Sequence, residues 1–575
     1  MTFKGTKAGR WSLGLFCLLC ASVANCCSLD REAFSFTTYD LTLQVEPDQH
    51  RLGVRGRVTL RNDTQTPQKI AVLQISSSLS WKSIKAGEST LQIVTQPFIS
   101  DIDHTGALSE AIVTLPQPVA PKGTIDLVIA YEGVVLPDAT RFTRTGVPDD
   151  VALSTDWDQI GADFTALRGA GYVAWYPIAT DVANLSDEDS LSEVLKRWND
   201  READGKMDLT FKSTADCTIL STGYKSLAIV SKEEGIAKVA VFHDSDIGHG
   251  VPAFTMANYK EREAGTSKIY YLGGKDSRAE SYAELVANLR PLSAGRGPGP
   301  IQVAELPNAD AAPFLAGRML FMPLKPAIPT SDRLTLVYAL SHTGIDSPQR
   351  WVTDGIAHCA QVLDIENEQG YRAALDYLAS HLEALVEFEN ASAASGATET
   401  GDKRPARALV DMSDEVPLES KAMFVWWMLH DMMPEFSMGV VLKRETLSDK
   451  DAGAMQKLLE EPAKRDLQWF FDDWVYHDRG LPDFKVESAF PVKTPTNSYM
   501  VTVTVANLGS AGAEVPVKIK FAGGETTKRL EVRAKSKATI RIEVPAAPQE
   551  VVVNDGSVPE SDLSDDTFKI SQGPK

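Results

Sequence analysis

Three side chains in the stretch LVYALSHTGIDSPQRWVTDGIAHCAQ, residues 336–361, could do chemistry together: His342, Asp354 and His358. Two imidazoles and a carboxylate form a donor set for zinc, which binds nitrogen and oxygen ligands tetrahedrally and can activate a water held in an open fourth position. Asp354 and His358 are four residues apart, one helical turn, so both project from one face. Each residue also has a quieter reading, and those are preferred. His342 reads as a core or cleft histidine held by a hydrogen bond, and Asp354, following Thr353, as a carboxylate at the positive end of a helix. Trp426-Trp427 and Trp469-Phe470-Phe471 with Trp474 fall at helical spacing, which points to packing between helices rather than a substrate pocket. Arg168-Gly169 and Trp175-Tyr176-Pro177 read as structural turns.

The elements that must position these residues follow from periodicity. Helical spacing marks 278–290, 332–342, 353–363, 370–389, 419–433 and 453–477, and a strand is expected at 301–305. Earlier in the chain the runs YDLTLQV, VRGRVTL, KIAVLQI, EAIVTL, TIDLVIAYEG and MDLTFKS alternate apolar and polar residues, as half-buried strands of an all-β domain do. Alternation returns after Phe484, with Val501-Val503-Val505, Val515-Val517-Ile519 and Ile540-Ile542-Val544 in successive strands of a β-sandwich. The segment ASAASGATETGDKRPARA has no apolar periodicity and is expected to be a surface loop. A prior of about 150 residues per domain agrees with several units. The expected boundaries are a β domain at 34–225, a mixed α/β domain at 226–482, a β-sandwich at 483–556 and a disordered acidic tail at 557–575.

Composition narrows the function. A formal charge of -20 over 575 residues repels a phosphate backbone, and no dense basic stretch offsets it, so nucleic acid is not an expected partner. The start, MTFKGTKAGRWSLGLFCLLCASVANCC, places Lys4, Lys7 and Arg10 before a short apolar run and small residues. That is the layout of a secretory signal, assigned to residues 1–25. Cys26 offers a second outcome, a lipid-modified cysteine that would be the chain's one attachment to a membrane, although Asn25 is a poor residue before such a site. The protein is therefore expected to be exported, to the periplasm or outside the cell. Only Cys217 and Cys359 belong to the body of the chain, where they read as buried thiols rather than a disulfide framework.

Several segments in order carry a family resemblance: YDLTLQV with GRVTL, YEG at 131–133, LRGAGYVAWYP at 167–177, and LSTGY at 220–224. Further on come WVTDGIAH at 351–358, SKAMFVWWML at 420–429 and WFFDDWVYHDRGLPDFKV at 469–486. Together they resemble the gluzincin aminopeptidases of the membrane alanine aminopeptidase family, peptidase family M-one. The resemblance implies a multidomain α+β protein with an N-terminal all-β saddle-like domain, a thermolysin-like α/β catalytic-type domain and a C-terminal Ig-like β-sandwich.

It also implies a zinc site, of whose H-E-x-x-H motif this chain keeps only the second histidine, His342. Members of the family hold zinc with the two histidines of H-E-x-x-H and a downstream glutamate. The matching residues here are Tyr338-Ala339-Leu340-Ser341-His342 and, for the third ligand, Asp354. A phenol is a poor neutral-pH ligand, and Ala339 cannot take the proton that the family's glutamate removes from water. The exopeptidase-loop equivalent, APFLAGRMLFMP at 312–323, contains no carboxylate for a substrate amine, and DMSDEVPLESKAMF from Asp411 lacks the family's catalytic tyrosine.

The reading drawn from this is an exported pseudopeptidase, with no catalytic residues and no metal at the remnant positions Tyr338, His342 and Asp354. It would bind a peptide or protein and need no cofactor. Two alternatives stand beside it: an active zinc aminopeptidase with a rearranged site of His342, Asp354 and His358, zinc being the cofactor, and a purely structural cell-envelope protein.

Overall fold

The computed structural model describes residues 29–186, 190–244, 247, 250–289, 300–345, 347–395, 408–412, 415–433, 452–477 and 479–570. The leader, Cys26 and most of the ASAASGATETGDKRPARA segment lie outside these.

The first strand, Phe34–Glu46, buries Tyr39, Leu41, Leu43 and Val45 while Asp40 and Gln44 face outward, the period of two expected of a half-buried strand. It sits inside an eight-stranded sheet, antiparallel to Arg51–Asn62 on one side and parallel to Lys206–Ser213 on the other. A three-stranded sheet of Gln68–Ser76, Ala107–Val119 and Gln92–Ile99 shares the same core. Trp175, Tyr176 and Trp198 fill that core, and the hydroxyls of Tyr39 and Tyr131 donate to the Pro177 and Trp175 carbonyls at 2.9 Å each.

The boundary expected at residue 225 is too early. Tyr224–Val230 pairs with Lys238–Asp244, which extends the large sheet from Lys206–Ser213, and Phe254–Ala257 pairs with Phe164–Leu167. The large sheet therefore runs past residue 225 to Asp244, because this hairpin completes a sheet begun far earlier in the chain.

From Lys260 a five-stranded mixed sheet forms, in the order Lys260–Ala264, Ser267–Tyr271, Gln302–Glu305, Met319–Met322, Phe314–Ala316. Its helices are α1 (Asp276–Asn288), α2 (Thr330–His342), α3 (Arg350–Gln369), α4 (Tyr371–Ser395), α5 (Glu415–Met432) and α6 (Ala452–Ala463). The run expected to be helical from 453 to 477 breaks after α6, where Pro462 removes an amide donor and Lys464 turns left-handed at φ 50°. A short helix at Gln468–Phe471 and a wide π turn at Asp472–Tyr476 follow.

The two units meet at an arginine. The Arg168 guanidinium lies 4.0 Å from the Trp157 ring centre and 3.8 Å from that of Tyr172, and it is paired with Asp158 at 2.6 Å. Tyr172 packs edge-on against Phe314, and the Trp157 indole donates to the Ala312 carbonyl at 3.0 Å. The reading of Arg168-Gly169 as structural thus acquires a mechanism: the arginine clamps the edge strand of the second sheet.

The last unit packs a sheet of Phe484–Lys493, Tyr499–Asn507 and Lys537–Val544 on one of Gly524–Val532, Ala513–Phe521, Pro548–Val553 and Thr567–Lys569. The tail expected to be disordered from residue 557 is ordered through 570, and Thr567–Lys569 pairs with Pro548–Val553. Val558 is fully buried, and the Glu560 carboxyl accepts the Phe484 amide at 3.0 Å and the Asn554 side chain. Acidic composition suggests a solvated tail, whereas here Glu560 and Asp566 are buried and Glu560 accepts from two donors.

Candidate functional site

Helix α2 buries Leu336, Val337, Ala339 and Leu340, which leaves Tyr338 and His342, one turn apart, half-buried on another side. Their rings are 5.5 Å apart. Helix α3 supplies the facing residues, and its depth is set by a glycine. A Cβ on Gly355 would lie 2.6 Å from Trp426 Cδ1 and 2.8 Å from Ala422 Cβ, both on α5, so only glycine permits this crossing. Trp426 is itself fixed, stacked on Trp351 with ring centres 5.5 Å apart and donating to the Trp351 carbonyl at 3.0 Å.

That crossing sinks the neighbouring Asp354, whose side chain is 7% exposed. The helix begins at Arg350, so Asp354 lies in its second turn and is not a capping residue. Each carboxylate oxygen has its own partner: His342 Nε2 donates to Oδ1 at 3.1 Å, and Arg350 Nε donates to Oδ2 at 3.1 Å. Burial alone would push this carboxyl up, but the His342 hydrogen bond and the Arg350 charge outweigh it and hold Asp354 below the usual carboxylate range.

His358 engages a different set. Its Nδ1 donates to Gln361 Oε1 at 2.9 Å, and the Gln361 amide is oriented by its own bond to the Leu334 carbonyl at 3.0 Å. The Tyr377 hydroxyl from α4 reaches the same Gln361 oxygen at 3.4 Å. His358 Nε2 faces Glu419 of α5 at 3.7 Å, an ion-pair separation too long for a hydrogen bond. Burial opposes protonation of His358, yet the Glu419 carboxylate prevails and raises it above the ordinary imidazole value. The Tyr338 ring contacts both histidines, 4.7 Å from His358 and 5.5 Å from His342. The structure thus brings Tyr338, His342 and Asp354 together and ties His358 to Gln361 and Glu419.

The stretch 312–323 forms the edge hairpin of the second sheet, with Met319–Met322 fully buried. In the segment from Asp411, Lys421 is buried and donates to Glu389 Oε1 of α4 at 2.9 Å, a structural ion pair. The aromatic clusters are core: Trp426, Trp427, Phe470, Phe471 and Trp474 are fully buried, and half-buried Trp469 lies under the Arg533 guanidinium at 4.1 Å. Cys359 is buried and Cys217 half-buried, both as free thiols. Arg350, Gln361, Tyr377 and Glu419 went unread in the sequence. Of these only Arg350 left a signal there, standing four residues before Asp354.

Zinc fits these residues poorly. His342 Nε2 and Asp354 Oδ1 are separated by 3.1 Å, close to the spacing of two ligands on one ion. The remaining neighbour, Tyr338, is a phenol, however, and the second carboxylate oxygen is taken by a guanidinium. Among the described residues, no group of three histidines, cysteines or carboxylates is arranged to hold a metal ion. Ala339 presents only a methyl group, so the local arrangement can make hydrogen bonds and ion pairs but offers no proton acceptor at residue 339.

No protein-family model and no curated protein matches the chain. Among solved structures it is similar to a mutant M1 zinc metallopeptidase from Deinococcus radiodurans, at 16% identity and a TM-score of 0.49, covering 79% of this chain and 96% of that one. The same mutant bound to a Tyr-Ser-Ala substrate gives 15% identity, a TM-score of 0.48 and coverage of 79% and 96%. The non-mutant M1 zinc metallopeptidase of that organism gives 15%, 0.46 and the same two coverages.

Proposed function

We propose that this chain is a pseudopeptidase: an aminopeptidase-like protein of gluzincin architecture that binds a peptide or protein without cleaving it. The observation that carries this reading is the state of Asp354, at the third ligand position, which is held as an internal ion pair between His342 and Arg350. Ala339 beside it supports the same conclusion, because a methyl group cannot take a proton from water. The ordered segments quoted from the sequence support the family assignment, with a saddle-like first domain, a thermolysin-like second and an Ig-like third. A concave surface between domains can outlast the loss of catalytic groups, so binding is the activity such a scaffold can retain. Export by the leader, with or without lipid on Cys26, belongs to the same proposal.

The test is a panel of aminoacyl-aminocoumarin substrates and a peptide library, offered to protein purified without chelator or metal-affinity resin. The expected result is no turnover, with retention of a subset of peptides. Turnover that disappears in His342→Ala would instead establish the rearranged zinc enzyme. Neither turnover nor retention would favour a structural envelope role.

A further inference from the structure

We propose that the Arg350 guanidinium is the resident cation of this site: it holds Asp354 as a metal ion would, and by doing so keeps divalent metals out. The inference rests on the non-catalytic reading above and gives that reading a physical cause.

Arg350 opens helix α3, where the backbone amides present the positive end of the helix dipole. A cation is locally unfavourable there, so its presence needs a compensating partner, and Asp354 one turn along is that partner. The carboxylate is buried and has two oxygens. One accepts from His342 and the other from Arg350, each at 3.1 Å. Both groups would have to change for a metal to enter. His342 Nε2 would give up the proton it now donates, since a ligating imidazole nitrogen must be bare.

An ion bound to His342 Nε2 and Asp354 Oδ1 at about 2.0–2.2 Å from each would share this one carboxylate with the guanidinium. A divalent ion and an arginine on opposite oxygens of a single buried carboxylate repel each other across it, a repulsion reduced by the water that reaches the Arg350 side chain, which is 44% exposed. Tyr338, the remaining neighbour, is packed against His342 and His358, and its phenol would have to ionise to help. The substitutions at 338 and 339 remove a ligand and a base, whereas Arg350 adds a charge that answers the need the metal once met. Asp354 links α3 to α2 through His342, and Arg350, one turn back on the same helix as Asp354, supplies the charge that balances it.

The experiment is equilibrium dialysis of full-length mature protein against zinc chloride. Cobalt(II) absorption spectra and thermal unfolding with and without chelator accompany it, for wild type, Arg350→Met and Arg350→Lys. Wild type is expected to take up less than about 0.1 equivalent at micromolar free zinc and to melt identically with and without chelator. Arg350→Met should bind zinc at least about tenfold more tightly and be stabilised by it, and adding His342→Ala should abolish the gain. Arg350→Lys keeps the charge and should remain zinc-free, so it tests charge exclusion even where the methionine variant folds poorly. Stoichiometric zinc in wild type that is lost in His342→Ala overturns the proposal. If that zinc-loaded protein also cleaves peptides, the non-catalytic reading falls with it; if it cleaves none, only the role of Arg350 falls. Equal zinc affinity in wild type and Arg350→Met, or stoichiometric zinc in Arg350→Lys, likewise overturns it.

Discussion

Replacing Gly355 with alanine tests the packing that sets the depth of Asp354. In an unobstructed helix interior this change stabilises by about 1 kcal/mol, because alanine loses less backbone freedom on folding than glycine. Here the added methyl would meet Trp426 Cδ1 at 2.6 Å, Ala422 Cβ at 2.8 Å and Trp426 Nε1 at 3.0 Å, all well inside van der Waals contact, which begins near about 3.5 Å. The indole cannot swing aside cheaply. It is fully buried, stacked on Trp351 and bonded to that residue's carbonyl at 3.0 Å. Helices α3 and α5 must then separate by roughly 1 Å, at an overpacking cost of about 1–3 kcal/mol. Otherwise Trp426 turns and leaves a buried donor and acceptor unpaired, at about 1–3 kcal/mol. Net of the propensity gain, Gly355→Ala should destabilise by up to about 2 kcal/mol, and Gly355→Val, which adds two more carbons, by more. Calorimetry and tryptophan fluorescence during urea unfolding read this directly. A raised unfolding midpoint for Gly355→Ala would refute the reasoning, since it would mean that α3 and α5 do not touch at this point.

Three other perturbations have clear expected outcomes. Lys421→Met removes the buried ammonium that donates to Glu389 and should cost about 3 kcal/mol, and the double change with Glu389→Leu should recover part of it, as a double-mutant cycle would show. Arg168→Met strands the fully buried Asp158 and should cost about 3–5 kcal/mol, with protease cleavage between the first two units as a second readout. Glu560 and Asp566 are both held above the usual carboxyl range, first by burial and then by nearby negative charge, including each other's for Asp566. The folded sandwich therefore binds protons that the unfolded chain, ionising near about pH 4, has already released, so stability should fall as pH rises through the raised values. Melting curves of wild type and Asp566→Asn between about pH 5 and pH 9 should show a decline in the first that is flattened in the second.

How far the fold could be read before the structure depended on whether a signal was local. Tyr39, Leu41, Leu43 and Val45 announce a strand in seven residues, and the structure buries all four. The parallel pairing of that strand with Lys206–Ser213 has no local signature, so the first unit was ended at 225 although its sheet continues to Asp244. The apolar periodicity on both sides of Pro462 reads as one continuous helix, although the helix ends at Ala463, one residue past that proline. The order of the last segment was hidden because composition treats Glu560 and Asp566 as solvated charges, while the fold buries and pairs them. At the site, Tyr338, His342 and Asp354 are the positions that the family resemblance marks. Arg350 and Glu419 were overlooked because a charged residue on a helix ordinarily faces water, and only the facing helices show what each one touches.

The placement of Ala339 closes this site to gradual acquisition of a base. Its side chain has no solvent exposure and sits among the apolar residues of α2. A glutamate introduced there alone would be an unpaired carboxylate in a dry setting and would carry a penalty of several kcal/mol. A histidine introduced at 338 alone would find Asp354 already bonded to Arg350. A base at 339 would therefore have to arrive together with the cation that neutralises it, and single changes on the outer surface of the scaffold meet no such barrier.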